Sequence, residues 1–244
     1  MKEFSLIAFF KYLRLKLIKE SRVEKVGLPG VLYPLSLRTK TSDVSALRQI
    51  FSHKEYAIDF PFEPKIIIDA GGYIGFASIY FANRFPDATI VTLEPEKSNY
   101  QLLQKNVRNY QNIHPQNKAI AQKANQSFDI VDKGYGKWGA VTVSKEKSQN
   151  EKIIDSVTTT SIDALMAENH FEHIDILKMD IEGTEEEVFE SNFETWLPKT
   201  KCLIIELHDD IKKNATKNVL AAIEQYNFTQ FKKGENLVFI NNNK

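Results

Sequence analysis

Four apolar runs of this sequence end in acidic residues, an unusual place for charge if the runs are buried strands. The residues concerned are Asp69, Glu94, Asp180 with Glu182, and Glu206 with the histidine His208. Because an unpaired carboxylate is costly to bury, acids that repeatedly follow runs such as "IIID" and "LIIE" predict one shared polar pocket. Such side chains can accept hydrogen bonds from hydroxyls, take up a proton or bind a divalent cation.

The segment "IIIDAGGYIGFASIYFANRF" predicts a buried strand, a tight turn and a helix. Glycine permits positive φ and a close approach of the backbone to a ligand, and the turn fits D-x-G-x-x-x-G as Asp69, Gly71 and Gly75. It does not fit the dinucleotide pattern G-x-G-x-x-G, because Tyr73 stands at the third position. An acid at this turn is better matched to a cationic or hydroxylated ligand than to pyrophosphate. Glu94, 25 residues further on, ends the next predicted strand, where a carboxylate can accept both hydroxyls of a ribose.

These side chains are positioned by a strand–helix alternation that begins after Pro61 and Pro64. Alternation predicts an α/β fold with a mostly parallel central sheet, helices on both faces and ligands at the carboxyl ends of the strands. The final segment "FTQFKKGENLVFIN" predicts an antiparallel hairpin. We therefore expect an N-terminal extension over residues 1–60 and a main domain over 61–244, with β-hairpins inserted at about 122–160.

The N-terminal stretch "MKEFSLIAFFKYLRLKLIKE" predicts an amphipathic helix. Its apolar core is only five residues long, too short to span a bilayer, and no small-residue cleavage site follows it. The apolar residues that recur at helical spacing are Phe4, Ile7, Ala8, Tyr12, Leu15 and Ile18. We expect this face to pack on the domain or to form a homo-oligomer; the alternative is a basic helix that rests on a membrane surface. Further on, Ser42 or Asp43 is expected to cap the next helix.

The bulk composition restricts the choice of partner and compartment. Lys+Arg and Asp+Glu are 32 each among 244 residues, so no overall basic charge is present to gather nucleic acid. The only cysteine, Cys202, excludes an intramolecular disulfide and a cysteine-based metal site. We therefore expect a cytoplasmic protein without a transmembrane segment and without a nucleic-acid partner.

Several segments, in order, resemble the FkbM family of S-adenosylmethionine-dependent methyltransferases, which have the Rossmann-like class I methyltransferase fold. They are "TSDVSALRQIFSHKEY", "IIIDAGGYIGFASIYFA", "VTLEPEKSNYQLLQKNV", "TSIDAL", "IDILKMDIEGTEEEVFE" and "LIIELH", and together they cover about residues 40–208. The glycine turn alone is a weak signal, but its combination with "LKMDIEG" is fairly specific. The resemblance implies S-adenosylmethionine as the cofactor and methyl transfer to oxygen as the reaction.

Position by position, the resemblance also implies where the cofactor is held. The implied contacts are Asp69, Gly71, Gly72, Tyr73, Gly75, Glu94, Pro95, Asn99 and Asp180. The glycine turn would lie beside the methionine part, and Glu94 would hold the ribose hydroxyls. Asp180 would lie at the methyl-transfer mouth, with Glu182 and Gly183 shaping the turn after it. Tyr73 departs from the family, which often has Asn or another polar residue at that position.

Methyl transfer to a hydroxyl needs alignment of the reacting atoms and removal of a proton. The candidate catalytic residues are His208, Asp180, Glu182 and Glu206. If the strand of "LIIELH" persists, Glu206 and His208 point to the same face. With Asp180 they are alternatively the ligands of a divalent metal such as Mg²⁺ that acidifies the hydroxyl.

We therefore expect an S-adenosylmethionine-dependent O-methyltransferase that modifies a hydroxyl of a sugar, a glycan or a related small natural product. Two alternatives stay open: an RNA methyltransferase, and a catalytically silent module that keeps the cofactor pocket. The acids at all four strand ends argue against the silent module. The sequence "DIEG" stands where base-methylating enzymes commonly show Asn/Asp-Pro-Pro-Tyr/Phe, which argues against a nucleic-acid substrate.

Overall fold

Strands and helices alternate along most of the chain. The computed structural model describes residues 2–132, 140–144, 152–181, 184–208 and 215–243. The helices are α1 Lys2–Lys16, α2 Asp43–Leu47, α3 Phe76–Arg84, α4 Lys97–Val107, α5 Ile162–Glu168, α6 Glu185–Val188 and α7 Ala215–Ile223. A π-helical turn, Arg48–Ser52, continues α2, and 3₁₀ turns occur at Phe193–Thr195 and Leu197–Lys199. The strands are β1 Val23–Val26, β2 Leu35–Arg38, β3 Ile66–Ala70, β4 Thr89–Leu93, β5 Ile113–Gln116, β6 Ala119–Ile120, β7 Ser127–Asp132, β8 Ala140–Ser144, β9 Ile153–Thr160, β10 Ile174–Met179, β11 Thr200–Ile205, β12 Phe228–Lys233 and β13 Asn236–Asn241.

Seven strands form a central sheet in the order β12-β13-β11-β10-β3-β4-β5. Strands β3, β4, β5, β10 and β11 are parallel to one another, while β13 is antiparallel to both of its neighbours. The last two strands, β12 and β13, form the expected C-terminal hairpin. The prediction of a mostly parallel sheet in an α/β fold is thereby confirmed.

Both faces of the central sheet are buried, and the side chains of successive residues in a strand point to opposite faces. Ile67 and Ile176 belong to the hydrophobic cluster that contains the apolar residues of α3 and α4. Ile68 and Leu177 belong to the cluster that contains those of α5, α6 and α7. Helices therefore cover both faces, as the strand–helix alternation predicts.

The parallel register brings the carboxyl ends of neighbouring strands together. Asp69 of β3 pairs with Lys178 of β10 across the sheet. Glu94, Asp180 and Glu206 directly follow β4, β10 and β11. The acids that the sequence places at strand ends therefore lie along one edge of the sheet.

A second sheet occupies the region in which the sequence predicts hairpins. Its described strands have the order β6-β9-β7-β8, with β6 parallel to β9 and the other pairs antiparallel. A small hydrophobic cluster supports this sheet and consists of Ala119, Ala121, Phe128, Ile130 and Val157. Because β6 follows β5 directly, this sheet borders the same edge as the strand-end acids.

The N-terminal segment packs onto one face of the central sheet. Ala8, Leu15 and Phe51 belong to the same hydrophobic cluster as α3 and α4. Strands β1 and β2 pair antiparallel, and the buried Asn106 of α4 bonds to the amide and the carbonyl of Ser36 at 2.7 and 2.9 Å. The segment therefore shares the core of the main domain, and the boundary at residue 60 stays a prediction.

One local prediction for this segment is wrong, and another holds only in part. Neither Ser42 nor Asp43 caps α2 with its side chain; Asp43 instead accepts hydrogen bonds from the amide and the guanidinium of Arg38 at 2.7 and 2.8 Å. On α1, Ala8 and Leu15 are buried as expected, but Ile7 is exposed; the side chain of Phe4 lies outside the described ones. Within the described residues, no helix combines the length and apolar character needed to cross a membrane.

Candidate active site

The turn after β3 leaves no room for a side chain at two of its glycines. Gly71 has φ +81°, and a Cβ built there would lie 1.7 Å from the backbone oxygen of Asp180. A Cβ on Gly72 would lie 2.1 Å from Oγ1 of Thr92. Both glycine amides donate to the carbonyl of Leu93, at 3.0 and 2.7 Å. The turn is thus held between β4 and the end of β10, which explains why only glycine fits.

A buried lysine, Lys178, fastens this turn to β10. Its Nζ lies 3.3 Å from Oδ1 of Asp69 and 3.6 Å from Oδ2 of Asp180, and it donates to the carbonyl of Gly71 at 2.6 Å. Burial by itself lowers the pKa of Lys178, but the surrounding negative groups, Asp69 foremost, outweigh it and raise the pKa. The lysine therefore stays charged and holds both acids in place.

Glu94, at the end of β4, is almost fully buried. Its Oε2 accepts from the amide of Tyr73 at 2.9 Å, and its Oε1 accepts from the amide of Glu96 at 3.0 Å and from Asn99 Nδ2 at 3.4 Å. Burial raises the pKa of Glu94 to about 8, although these hydrogen bonds act in the opposite direction. A ligand that donates hydroxyls to this carboxyl group would favour its ionised form.

The hydrogen-bond network around Glu94 extends into the N-terminal segment. Arg38 donates to Asp43 at 2.8 and 2.9 Å and to Oδ1 of Asn99 at 2.8 Å. The hydroxyl of Tyr73 also donates to Asp43. Burial and the charge of Asp43 raise the pKa of Tyr73, so its hydroxyl keeps its proton. A closed circuit of hydrogen bonds therefore joins five residues, which we call the Arg38 ring: Glu94, Asn99, Arg38, Asp43 and Tyr73.

A cleft of about 1050 Å³, counting space open to solvent, lies at the carboxyl ends of the strands. The predicted site residues in its lining are Gly71, Gly72, Tyr73, Glu94, Pro95, Asn99, Asp180 and Glu206. Its lining also includes Gln49, Ile50 and Glu55 from the N-terminal segment and Ala119 and Ile120 from β6.

Three of the predicted catalytic residues lie together. Nε2 of His208 is 3.8 Å from Oδ1 of Asp180 and 3.8 Å from Oε1 of Glu206. Its Nδ1 is 2.9 Å from Oε1 of Glu185, a fully buried carboxyl group on α6. In the tautomer in which Nδ1 donates to Glu185, Nε2 is the proton acceptor of the ring. Burial and the charge of Asp180 raise the pKa of Glu206 to about 8, although His208 acts to lower it.

The remaining predicted residues lie away from the cleft surface. Asp69 is fully buried behind the turn, where its Oδ2 accepts from Oγ of Ser78 at 2.5 Å. Gly75 has φ +86° and begins α3, against α4. Neither belongs to the described lining of the cleft, and His208 does not belong to it either, although its neighbours Asp180 and Glu206 do. Glu182 and Gly183 lie outside the described residues.

Sequence reasoning missed Lys178, Glu185 and the pair of Arg38 and Asp43. The sequence does indicate a role for Lys178, because it interrupts the apolar strand "IDILKM". A lysine is rarely fully buried without a partner, so its position predicts a buried ion pair. Glu185 stands among three acids at a helix N-terminus, where the helix dipole alone accounts for all of them. The Arg38 ring joins residues up to 61 positions apart, and nothing local marks it.

The sheet order, the glycine turn and the acids at adjacent strand ends define a class I methyltransferase fold. Residues 69–229 match the Methyltransferase FkbM domain, and the chain belongs to this family. "Methyltransferase 1" of Beauveria bassiana (strain ARSEF 2860) is 24% identical over an alignment of 198 positions that covers 70% of this chain and 78% of that protein. The crystal structure of Methyltransferase FkbM from Methylobacillus flagellatus KT matches with a TM-score of 0.51 and 12% identity; the match covers 97% of this chain and 58% of that one. The expected family and fold are thereby confirmed.

The pair of Arg38 and Asp43 should stabilise the protein far more than an exposed ion pair does. Asp43 is fully buried, so Arg38→Met removes the main partner of a buried charge and should lower the free energy of unfolding by about 3 kcal/mol. The control is Arg22→Met, which breaks an exposed pair with Glu24 and should cost less than about 1 kcal/mol. Urea unfolding followed by circular dichroism measures both, and equal costs would contradict the prediction.

Proposed function

We propose that this protein transfers a methyl group from S-adenosylmethionine to a hydroxyl oxygen of a sugar, a glycan or a related small natural product. The observation that carries the proposal is the placement of His208, which faces Asp180 and Glu206 while Glu185 holds its other nitrogen. This arrangement offers a proton acceptor next to Asp180 and Glu206, which line the cleft. Membership of the FkbM methyltransferase family supports the same reaction class.

The residues of the cleft fit the proposed cofactor. Gly71 and Gly72 both line the cleft, and their close packing on Asp180 and Thr92 fixes the backbone of the turn there. Glu94 offers a buried carboxyl group to a pair of ribose hydroxyls. Leu93 and Ile120 add apolar surface to the same cleft, as an aromatic base requires.

When bound, the cofactor supplies an electrophilic methyl group, so the chain has to align the acceptor hydroxyl and remove its proton. In this proposal Nε2 of His208 takes that proton, and Glu185 stabilises the imidazolium that forms. Asp180 accepts a hydrogen bond from the acceptor and orients it. Glu206, with its pKa raised to about 8, keeps a proton at neutral pH and is therefore able to donate to the acceptor as well.

The charges around the cleft favour an uncharged, hydroxyl-rich acceptor over nucleic acid. Glu55, Asp180 and Glu206 all contribute to its lining, and those that are ionised would repel a phosphodiester. The lysines of the lining, Lys118 and Lys178, are each paired with a carboxylate of the protein. Sugar hydroxyls, by contrast, find hydrogen-bond acceptors at each of the three acids.

A divalent cation held by Asp180, Glu206 and His208 is a second interpretation of the same cluster. One ligand atom from each residue lies within 4.8 Å of the others. Carboxylate oxygens with an imidazole nitrogen suit a small divalent cation such as Mg²⁺ or Mn²⁺. A cation there would polarise the acceptor hydroxyl, and His208 would then act as a ligand instead of a base.

The overall proposal is tested by incubating the protein with methyl-labelled S-adenosylmethionine and a panel of nucleotide sugars and oligosaccharides. We expect label on an acceptor oxygen and release of S-adenosylhomocysteine. Cofactor binding without transfer to any hydroxylated acceptor would favour the catalytically silent module. Transfer to RNA under the same conditions would contradict the proposed acceptor class.

Glu94 should control cofactor affinity in a pH-dependent manner. Glu94→Ala should weaken S-adenosylmethionine binding by about tenfold to 100-fold, the scale of hydrogen bonds to a charged group. In the wild type, affinity should rise from about pH 6 to about pH 9, because a carboxyl group with pKa about 8 has to ionise before it accepts both hydroxyls. Glu94→Gln should lose this pH dependence. Calorimetry measures all three, and a flat wild-type profile would disprove the ribose assignment.

His208 should matter to the chemical step and little to cofactor binding. His208→Gln is expected to lower kcat by about 100-fold or more, while the affinity for S-adenosylmethionine stays unchanged. If the histidine only supports packing, the variant should instead show a lower melting temperature with nearly normal turnover per folded molecule. Kinetics, calorimetry and thermal unfolding on one preparation separate these outcomes.

Exhaustive chelation distinguishes the base from the metal ligand. If Asp180, Glu206 and His208 bind a divalent cation, EDTA followed by desalting should abolish turnover, and Mg²⁺ or Mn²⁺ should restore it. Because a cation displaces the proton of Glu206, its apparent affinity should increase as the pH is raised towards about 8. Full activity after chelation would leave His208 as a metal-free base.

A further inference from the structure

Helix α1 presents a second apolar face, which points to solvent. Leu6, Phe10, Leu13 and Leu17 follow one another at intervals of four, three and four residues and are 57%, 65%, 41% and 80% exposed. The amide of Leu17 still bonds to the carbonyl of Leu13 at 3.3 Å, so the helical geometry extends to this residue. That spacing places the four side chains on one side of the helix, and we call them the outer stripe. Ala8, on the opposite side, is buried against the domain.

Basic residues flank the outer stripe. The described side chains of α1, from Leu6 to Lys16, carry three positive charges and no negative one. Successive helical residues are about 100° apart, so Arg14 lies on one side of the stripe and Lys16 on the other. Both are exposed, whereas Lys11 is turned towards the domain and donates to the carbonyl of Gly27.

We propose that the outer stripe inserts into the surface of an anionic lipid bilayer, with Arg14 and Lys16 at the level of the headgroups. Apolar side chains in a stripe bordered by basic ones are the pattern of helices that lie in the plane of a membrane interface. Anionic headgroups attract the flanking charges, and the acyl region takes up the leucines and the phenylalanine. This inference does not depend on the proposed methyl transfer.

A second copy of the chain would fit this face less well. Two identical stripes packed on each other would bring Arg14 and Lys16 of both copies close together. Between Leu6 and Lys16 the helix offers no carboxylate to pair with these charges. An anionic bilayer supplies both the apolar phase and the negative charge that the face lacks.

The position of α1 connects this surface to the cleft. The helix packs on α2 and on the π-helical turn Arg48–Ser52. Ala46, Gln49 and Ile50 of that segment also line the cleft. Binding through the outer stripe would therefore hold the cleft about one helix layer, about 10 Å, from the surface.

Co-sedimentation of the chain with lipid vesicles tests the proposal. Vesicles of equal parts phosphatidylcholine and phosphatidylglycerol should pellet the protein, while pure phosphatidylcholine should bind it at least about tenfold less tightly. The double variant Phe10→Ser with Leu17→Ser should lose at least about tenfold in binding. Arg14→Glu with Lys16→Glu should lose the preference for the anionic vesicles.

The control is Leu32→Ser, which removes a side chain that is 71% exposed but lies outside α1; its vesicle binding should match the wild type. All of the substituted side chains are exposed, so unchanged thermal unfolding verifies that each variant is folded. Failure of the wild type to pellet with anionic vesicles, or equal pelleting by the Phe10/Leu17 variant, would overturn the proposal. A dimer in light scattering that this variant abolishes, without vesicle binding by the wild type, would assign the stripe to a second copy instead.

Discussion

The candidate site depends on one buried cation. Lys178 is costly to remove from water, and it stays charged there because Asp69 and Asp180 lie 3.3 and 3.6 Å from its Nζ. This contact exists only because β3 and β10 are neighbouring parallel strands whose register pairs Asp69 with Lys178. Since the same Nζ donates to the carbonyl of Gly71, one ammonium group joins the sheet, the glycine turn and the acid at the mouth of the cleft.

Two other acids, Glu94 and Glu206, form no ion pair with a lysine or arginine among the described residues. Burial raises the pKa of Glu94 and of Glu206 to about 8 in each case, because the ionised forms lack the water that would solvate them. Hydrogen bonds from backbone amides offset this only in part at Glu94. In the proposed function, the ribose hydroxyls supply the missing donors at Glu94, while Glu206 either keeps its proton and donates it in a hydrogen bond or exchanges it for a cation. The protein orders these carboxyl groups before the ligand arrives, which lowers the entropy cost of binding.

The features that can be predicted from the sequence are those that depend only on the residues of a single strand or helix and the turn that follows it. Asp69, Glu94 and Glu206 each follow a short apolar run, so the strand-end rule for parallel sheets was enough to bring them together. The partners that orient these residues were not predictable, because they come from other elements. Glu185 reaches His208 across 23 positions, and the sequence predicts a helix cap at Ser42 or Asp43 because serine and aspartate commonly cap helices. The half-buried Arg38 removes Asp43 from that role, since a charged partner outweighs a free helix amide.

The N-terminal segment is part of the site as well as part of the core. Asp43 and Arg38 hold Tyr73 and Asn99, and these two residues hold Glu94. The same segment carries α1, so a continuous series of contacts runs from the outer stripe to the carboxyl group proposed for the ribose. Such a series transmits a signal only if one of its elements has two alternative arrangements. The Arg38 ring is closed by charged hydrogen bonds and buried against the sheet, which favours a single arrangement. The segment is therefore best understood as a rigid support that keeps Glu94 in place wherever α1 is anchored.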